Sequence, residues 1–143
     1  MITRDAEAVW SKSLQQGNGT IRFGSFEGPY SFATRFETAE GTNPEELIGA
    51  AHAGCFSMAL ALVLGKAGHE PVSIRTAATV YLDAGRLALA KIALRTSADV
   101  PGIDEAAFRK YAEEAEQICP VSKALAGVEI VLEEARLGRA EQA

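Results

Sequence analysis

The stretch GTNPEELIGAAHAGCFSMALALVLGKAGHE, Gly41 to Glu70, decides the fold of this chain. From Leu47 to Leu64 it runs for 18 residues without a formal charge, yet it places a thiol, Cys55, near its middle. Punctuation defines the segment as a helix. Asn43 is a good N-cap, and Pro44 fits the first helical position, where its missing N–H costs nothing. Glu46 falls at the third position of a capping box. Gly65 or Gly68 ends the helix, with Lys66 in its last turn. Such a length can span a bilayer. However, Gly49, His52, Gly54, Ser57 and many alanines gain little in lipid, and no cluster of basic residues follows. The segment therefore reads as the central helix of a core, apolar all round.

Working outward, "AEAVW", "TIRFG" and "YSFATRF" are short alternating runs separated by turns at "QQGNG" and "FEGPY", a pattern that predicts a three-stranded meander. Downstream, "SIRTAATVYLD" and "RLALAKIALRTS" flank Ala84-Gly85, a two-residue hairpin signal. Alternation in the second run is loose, and bounding turns favour a strand over a helix. "PGIDEAAFRKYAEEAEQI" predicts a helix capped by Asp104, "PVSKALAG" a short helix closed by Gly127, and "VEIVLEE" a last strand. The expected fold class is α+β, one domain over residues 1–143, with antiparallel sheets packed on a buried central helix. A chain of 143 residues has limited means of covering an all-apolar helix, so a second subunit is expected to cover it.

Apolar residues make up 48% of the chain and charged residues 23%, as in ordinary globular domains. The net charge of −5 and the scattered basic residues argue against a nucleic-acid or anionic-membrane partner. The start, "MITRDAEAVW", has no apolar leader core, so a cytoplasmic protein is expected.

Two cysteines occur, Cys55 and Cys119, without CxxC or zinc-ribbon spacing. A lone core cysteine is most often a small buried hydrophobe, which is one reading of Cys55. Cys119 precedes Pro120, which opens the short helix. Its thiol thus sits where free N–H groups favour thiolate, although it could simply fill the kink. His52 and Cys55 share a helical face and suggest a metal site with Cys119 or a glutamate. A chain with two histidines, one in a glycine-flanked turn, assembles no closed set, so no metal is expected. His52 reads as a hydrogen-bonded core histidine. Burial alone makes a thiol inert, so a reactive Cys55 needs a fixed positive charge nearby. Arg35 is the candidate, in a strand with core-like neighbours, and Glu45 is the free carboxylate to hold it. Taken alone, each also reads as a solvated surface charge.

"TRFETAEGTNPEELIGAAHAGCFSMALALVLGKAG", "VPGID" and "ICPVSKAL" together resemble the OsmC/Ohr family of osmotically inducible and organic-hydroperoxide-resistance proteins, and the OsmC branch in particular. The resemblance implies a thiol-dependent peroxidase that reduces organic hydroperoxides and hydrogen peroxide to alcohols and water. By motif, Cys55 corresponds to the peroxidatic cysteine and Cys119 to the resolving one, which join as a disulfide after a sulfenic acid forms. Arg35 corresponds to the arginine beside the thiolate, and Glu45 to the carboxylate that holds it. The resemblance also implies an intertwined homodimer and no bound cofactor, with an external dithiol such as a lipoyl group as reductant. The rival reading is a non-catalytic module of the same fold that binds an apolar ligand.

One geometric expectation follows from the helix itself. Glu45 and Cys55 are ten residues apart, so an unbroken helix separates them by about 15 Å along its axis and about 80° around it. Composite sites are therefore expected, with Arg35 and Glu45 of one subunit serving Cys55 and Cys119 of the other.

Overall fold

Ten elements make up the fold in this computed structural model, which describes residues 1–138. The chain divides into two compact units, Met1–Leu47 and the remainder from Ile48.

In the first unit, β1 (Ala6–Ser11), β2 (Asn18–Phe23) and β3 (Phe26–Ser31) form an antiparallel sheet in that order. The meander is present, but its last strand lies earlier than the sequence suggests. "FEGPY" is not a turn; it lies in β3. The actual turn is Gly24-Ser25, where Gly24 has φ +55°, between the paired Phe23 and Phe26. Pro29 is tolerated because β3 is an edge strand, where no ladder N–H is missed. Gly19 is opposite both Trp10 and Tyr30, and a Cβ there would lie 2.5 Å from the Tyr30 ring. The bare glycine lets the two rings meet with centroids 5.1 Å apart.

"FATRF", expected as strand, is the short helix α1 (Phe32–Phe36). Ser31 and Thr34 form a reciprocal capping box. The Thr34 N–H donates to Ser31 Oγ at 3.2 Å, and the Ser31 N–H donates to Thr34 Oγ1 at 2.8 Å. These local bonds satisfy the backbone and offer it an alternative to a sheet ladder.

α2 (Pro44–Lys66) is the central helix, and both of its ends fall where the sequence places them. Asn43 Oδ1 accepts the Glu46 N–H at 2.8 Å. At the far end Gly68 adopts φ +85°, its N–H donating to Gly65 O while the His69 N–H donates to Leu64 O, a Schellman closure.

In the second unit, β4 (Ser73–Asp83) pairs antiparallel with β5 (Ala88–Asp99). Asp83 pairs with Ala88, so the connection is the four residues 84–87 rather than the two-residue Ala84-Gly85 turn expected. Leu87 takes the positive φ of 50°, and Asp83 Oδ1 accepts the Arg86 N–H at 3.1 Å. α3 (Glu105–Ile118) is capped by Asp104, as expected. α4 (Pro120–Ala124) ends at Leu125, two residues short of Gly127. β6 (Glu129–Leu137) pairs with β5 in parallel, which corrects the all-antiparallel expectation. A parallel partner needs a crossover between the strands, and α3 and α4 provide it.

The core of this unit joins Phe56, Leu60 and Leu64 of α2 to Ile92 and Leu94 of β5 and Phe108 of α3. Ile92, Ala93 and Leu94 are all fully buried, which explains the loose alternation along this central strand. By length and composition α2 could cross a membrane, yet one side of it is this core. The helix is not buried all round, however. Ala51, Gly54, Met58 and Leu62 are exposed, Met58 at 76% and Leu62 at 51%, so an apolar stripe lies open in the single chain.

Candidate functional site

The four residues singled out by sequence form two pairs, one in each unit. In the first, Arg35 sits in the last turn of α1 and Glu45 in the first turn of α2. Asn43 ties the two helices together, since it caps α2 and donates from Nδ2 to Thr34 O at 2.9 Å. Arg35 donates from Nη2 to Glu45 Oε1 at 2.7 Å, and from Nε to both carboxylate oxygens at 3.2 Å. Glu45 is buried; the Arg35 side chain is one-third exposed. The pair is thus a charge-assisted fork whose carboxylate fixes the guanidinium, leaving part of the cation available for a further anion. Arg35 also lines a cavity of about 410 Å³ with Trp10, Tyr30, Phe32, Phe36 and Lys12. The sequence gives a hint of this aromatic pocket only in the spacing of Trp10, Tyr30 and Phe32, which was not read as a site.

In the second unit, Cys55 of α2 and Cys119, between α3 and α4, are both free thiols. Cys55 packs against the core cluster that contains Cys119, and each thiol acts on the ionisation of the other. Cys119 is fully buried, whereas Cys55 is half-buried beside the open stripe of Ala51, Met58 and Leu62. Cys119 is at once the C-cap of α3 and the N-cap of α4, and its Sγ accepts the Ser122 N–H at 3.5 Å.

Electrostatically the two thiols differ. Burial pushes Cys55 up from the usual thiol range, and the neighbouring Cys119 adds to this, while the Val121 N–H pulls it down. Burial also pushes Cys119 up, but there the opposing bonds win. The Ser122 N–H and hydroxyl, the Cys55 thiol and the Val121 N–H together bring Cys119 below the usual value. Within this unit, then, ionisation is easier at Cys119 than at Cys55.

Behind the cysteines lies a group the sequence reading only partly found. His52 is fully buried and its Nε2 is 2.7 Å from Ser122 Oγ, which makes it the hydrogen-bonded core histidine expected. Burial lowers its pKa, so the ring stays neutral, and Nδ1 has no hydrogen-bond partner among the described residues. Ser122 was missed altogether. Its signal was present in "CPVS", which puts a hydroxyl one helical turn after Cys119. Among the described residues no cluster of His, Cys, Asp and Glu could hold a metal ion.

Residues 37–133 match the OsmC-like protein family. Over 130 residues the chain is 50% identical to Peroxiredoxin OsmC of Escherichia coli strain K12, an alignment that covers 87% of this chain and 90% of that protein. The fold is similar to that of an OsmC like protein from Mycoplasma pneumoniae, with a TM-score of 0.75 at 18% identity over 96% of this chain and 99% of that one. It is also similar to an organic hydroperoxide resistance protein from Elizabethkingia anophelis, with a TM-score of 0.73 at 23% identity over 96% of this chain and 99% of that one.

Proposed function

The chain belongs to the OsmC family, and from that premise we propose that it is a thiol-dependent peroxidase whose reacting sulfur is Cys55. The observation that carries the reading is two free thiols that influence each other's ionisation, one half-buried and one buried, in a protein that is 50% identical over 87% of its length to a named peroxiredoxin.

The chemistry follows from thiol reactivity. Cys55 thiolate attacks the distal oxygen of the hydroperoxide, the O–O bond breaks, and an alcohol leaves after taking a proton; with hydrogen peroxide the leaving product is water. Cys119 then attacks the sulfenic acid on Cys55, forming a disulfide and releasing water. An external dithiol, such as a lipoyl group, returns the pair to thiols by exchange, so no bound cofactor is required.

Cys55 is the harder of the pair to ionise and needs a positive charge to become the nucleophile. Arg35, fixed by Glu45, is the charge we assign to it, and its free donors orient the peroxide. We assign that arginine to the partner in a homodimer. Two features favour this arrangement. α2 is one unbroken helix, so Glu45 is offset from Cys55 by about 15 Å along its axis. The open stripe of Ala51, Met58 and Leu62 borders Cys55 and offers a second copy of the chain an apolar surface to cover. The aromatic cavity beside Arg35 suits the tail of an organic hydroperoxide.

The test is steady-state reduction of hydrogen peroxide, cumene hydroperoxide and a fatty-acid hydroperoxide, with lipoyl dithiol and thioredoxin compared as reductants. Peroxide-dependent loss of both free thiols, reversed by dithiol, is expected. An apolar ligand that co-purifies with the protein, without any peroxide consumption, would favour the binding-module reading instead.

A further inference from the structure

His52 and Ser122 stand outside the four residues that carry the proposed reaction, yet they bury a polar line that points at the second thiol. The line runs from the His52 ring to Ser122 Oγ at 2.7 Å, and the Ser122 N–H donates in turn to Cys119 Sγ at 3.5 Å, while the Ser122 hydroxyl also lowers the Cys119 pKa.

Its polarity is fixed by the unpartnered nitrogen. A neutral imidazole carries one N–H. Were that hydrogen on Nδ1, it would be a buried donor with nothing to receive it, and orphaned buried N–H groups are rare. The hydrogen therefore belongs on Nε2 and is donated to Ser122 Oγ. The hydroxyl, having accepted that bond, keeps its own single hydrogen free to donate, in keeping with its lowering of the Cys119 pKa. Nδ1 keeps only a bare lone pair. The groups that act on Cys119 are thus Ser122 and Val121 of α4 and Cys55 of α2, with His52 behind Ser122, and none of them carries a fixed charge.

We propose that His52 and Ser122 are positioning residues for disulfide formation: His52 fixes Ser122 through its hydroxyl, and the Ser122 N–H orients the Cys119 sulfur for attack on Cys55. The inference rests on the peroxidase reading for its purpose, though not for its geometry. In the step it serves, Cys119 thiolate attacks the Cys55 sulfur of the sulfenic acid. The S–S bond forms and the S–O bond breaks. The Cys119 sulfur is oxidised and the Cys55 sulfur reduced, and the departing hydroxide takes from solvent the proton Cys119 gave up, leaving as water. Fast closure limits the time in which a second peroxide can carry the sulfenic acid to the irreversible sulfinic form.

The experiment reads Cys119 without any peroxide. In a Cys55→Ser background, the rate of Cys119 modification by a small alkylating agent is followed against pH in unfolding-checked samples. Ser122→Ala is expected to slow alkylation at neutral pH by about tenfold, while Ser122→Thr, which restores a hydroxyl, recovers most of the rate. His52→Gln keeps a donor near the Nε2 position and is expected to stay close to the parent, whereas His52→Leu falls with Ser122→Ala. In the two-cysteine protein, Ser122→Ala and His52→Leu should also accumulate sulfinic Cys55 at a lower peroxide excess. Equal pH profiles for parent, Ser122→Ala and His52→Leu would overturn the proposal. So would a failure of threonine and glutamine to rescue, since a merely structural role predicts no such pairing. Should Ser122→Ala not fold, the leucine and glutamine variants of His52 carry the same comparison. A protein that consumes no peroxide but shows the alkylation pattern would fail the peroxidase reading and leave the donor line standing.

Discussion

The Arg35–Glu45 pair and the Cys55–Cys119 pair solve opposite problems. The first is a full charge beside a carboxylate, one-third exposed at the arginine, and its electrostatics are settled before any substrate arrives. The second has one partly buried and one fully buried sulfur, and its hydrogen bonds favour ionisation of the buried one. Burial raises the pKa of Cys55, the more exposed sulfur, and under the proposed mechanism a cation must be brought to it before it reacts. The difference teaches that, under the proposed mechanism, reactivity is assembled from parts rather than stored in one residue.

The sharpest way to break the comparison is to exchange the sulfurs' roles. Cys55→Ser should abolish turnover. Cys119→Ser should consume about one peroxide per site and stop at sulfenic acid, detectable with a dimedone-type reagent. Equal residual turnover in both variants would mean the pair has no division of labour. Next in size is the cation. Arg35→Lys keeps a charge but loses the planar fork that serves a carboxylate and a peroxide together, and a loss of about a hundredfold in turnover is expected from steady-state rates. Subunit mixing sharpens the same point. Inactive Arg35→Ala and Cys55→Ser proteins, allowed to exchange subunits, should regain one working site per heterodimer. No recovery, with exchange verified by mass spectrometry, would place each site within a single chain.

Smaller effects test the supporting residues. Glu45→Gln should cost about tenfold in turnover, because the guanidinium loses its anchor but remains in place. The smallest effect concerns pH. His52 has its folded-state pKa lowered by burial, so the unfolded chain takes up a proton first as pH falls. Stability in the reduced protein should therefore decline as pH drops below about 6.5, and His52→Leu should flatten that part of the urea-midpoint profile.

Much of this was legible in the sequence, for identifiable reasons. Asn43, Pro44 and Gly68 are strong punctuation, and they bracket α2 correctly because helix ends are decided by local backbone bonds. The Arg35–Glu45 partnership was legible by elimination, since the first turn of α2 holds only Glu45 and Glu46. What failed was context. "FATRF" alternates like a strand, but Ser31 and Thr34 close a capping box and turn it into helix. "FEGPY" looks like a turn, but Pro29 costs little on an edge strand. The parallel pairing of β5 with β6 is a property of the crossover and leaves no mark in either strand. Ser122 was overlooked because its role depends on His52, 70 residues away in the chain.

The central claim is that Cys55 becomes a nucleophile through Arg35, and thiolate absorbance read against pH tests it most directly. In a Cys119→Ser background only one cysteine titrates. With Arg35 present, the transition should lie below the ordinary thiol range, and with Arg35→Ala it should rise above it, as burial dictates for an unassisted thiol. Coincident curves for the two proteins would contradict the account.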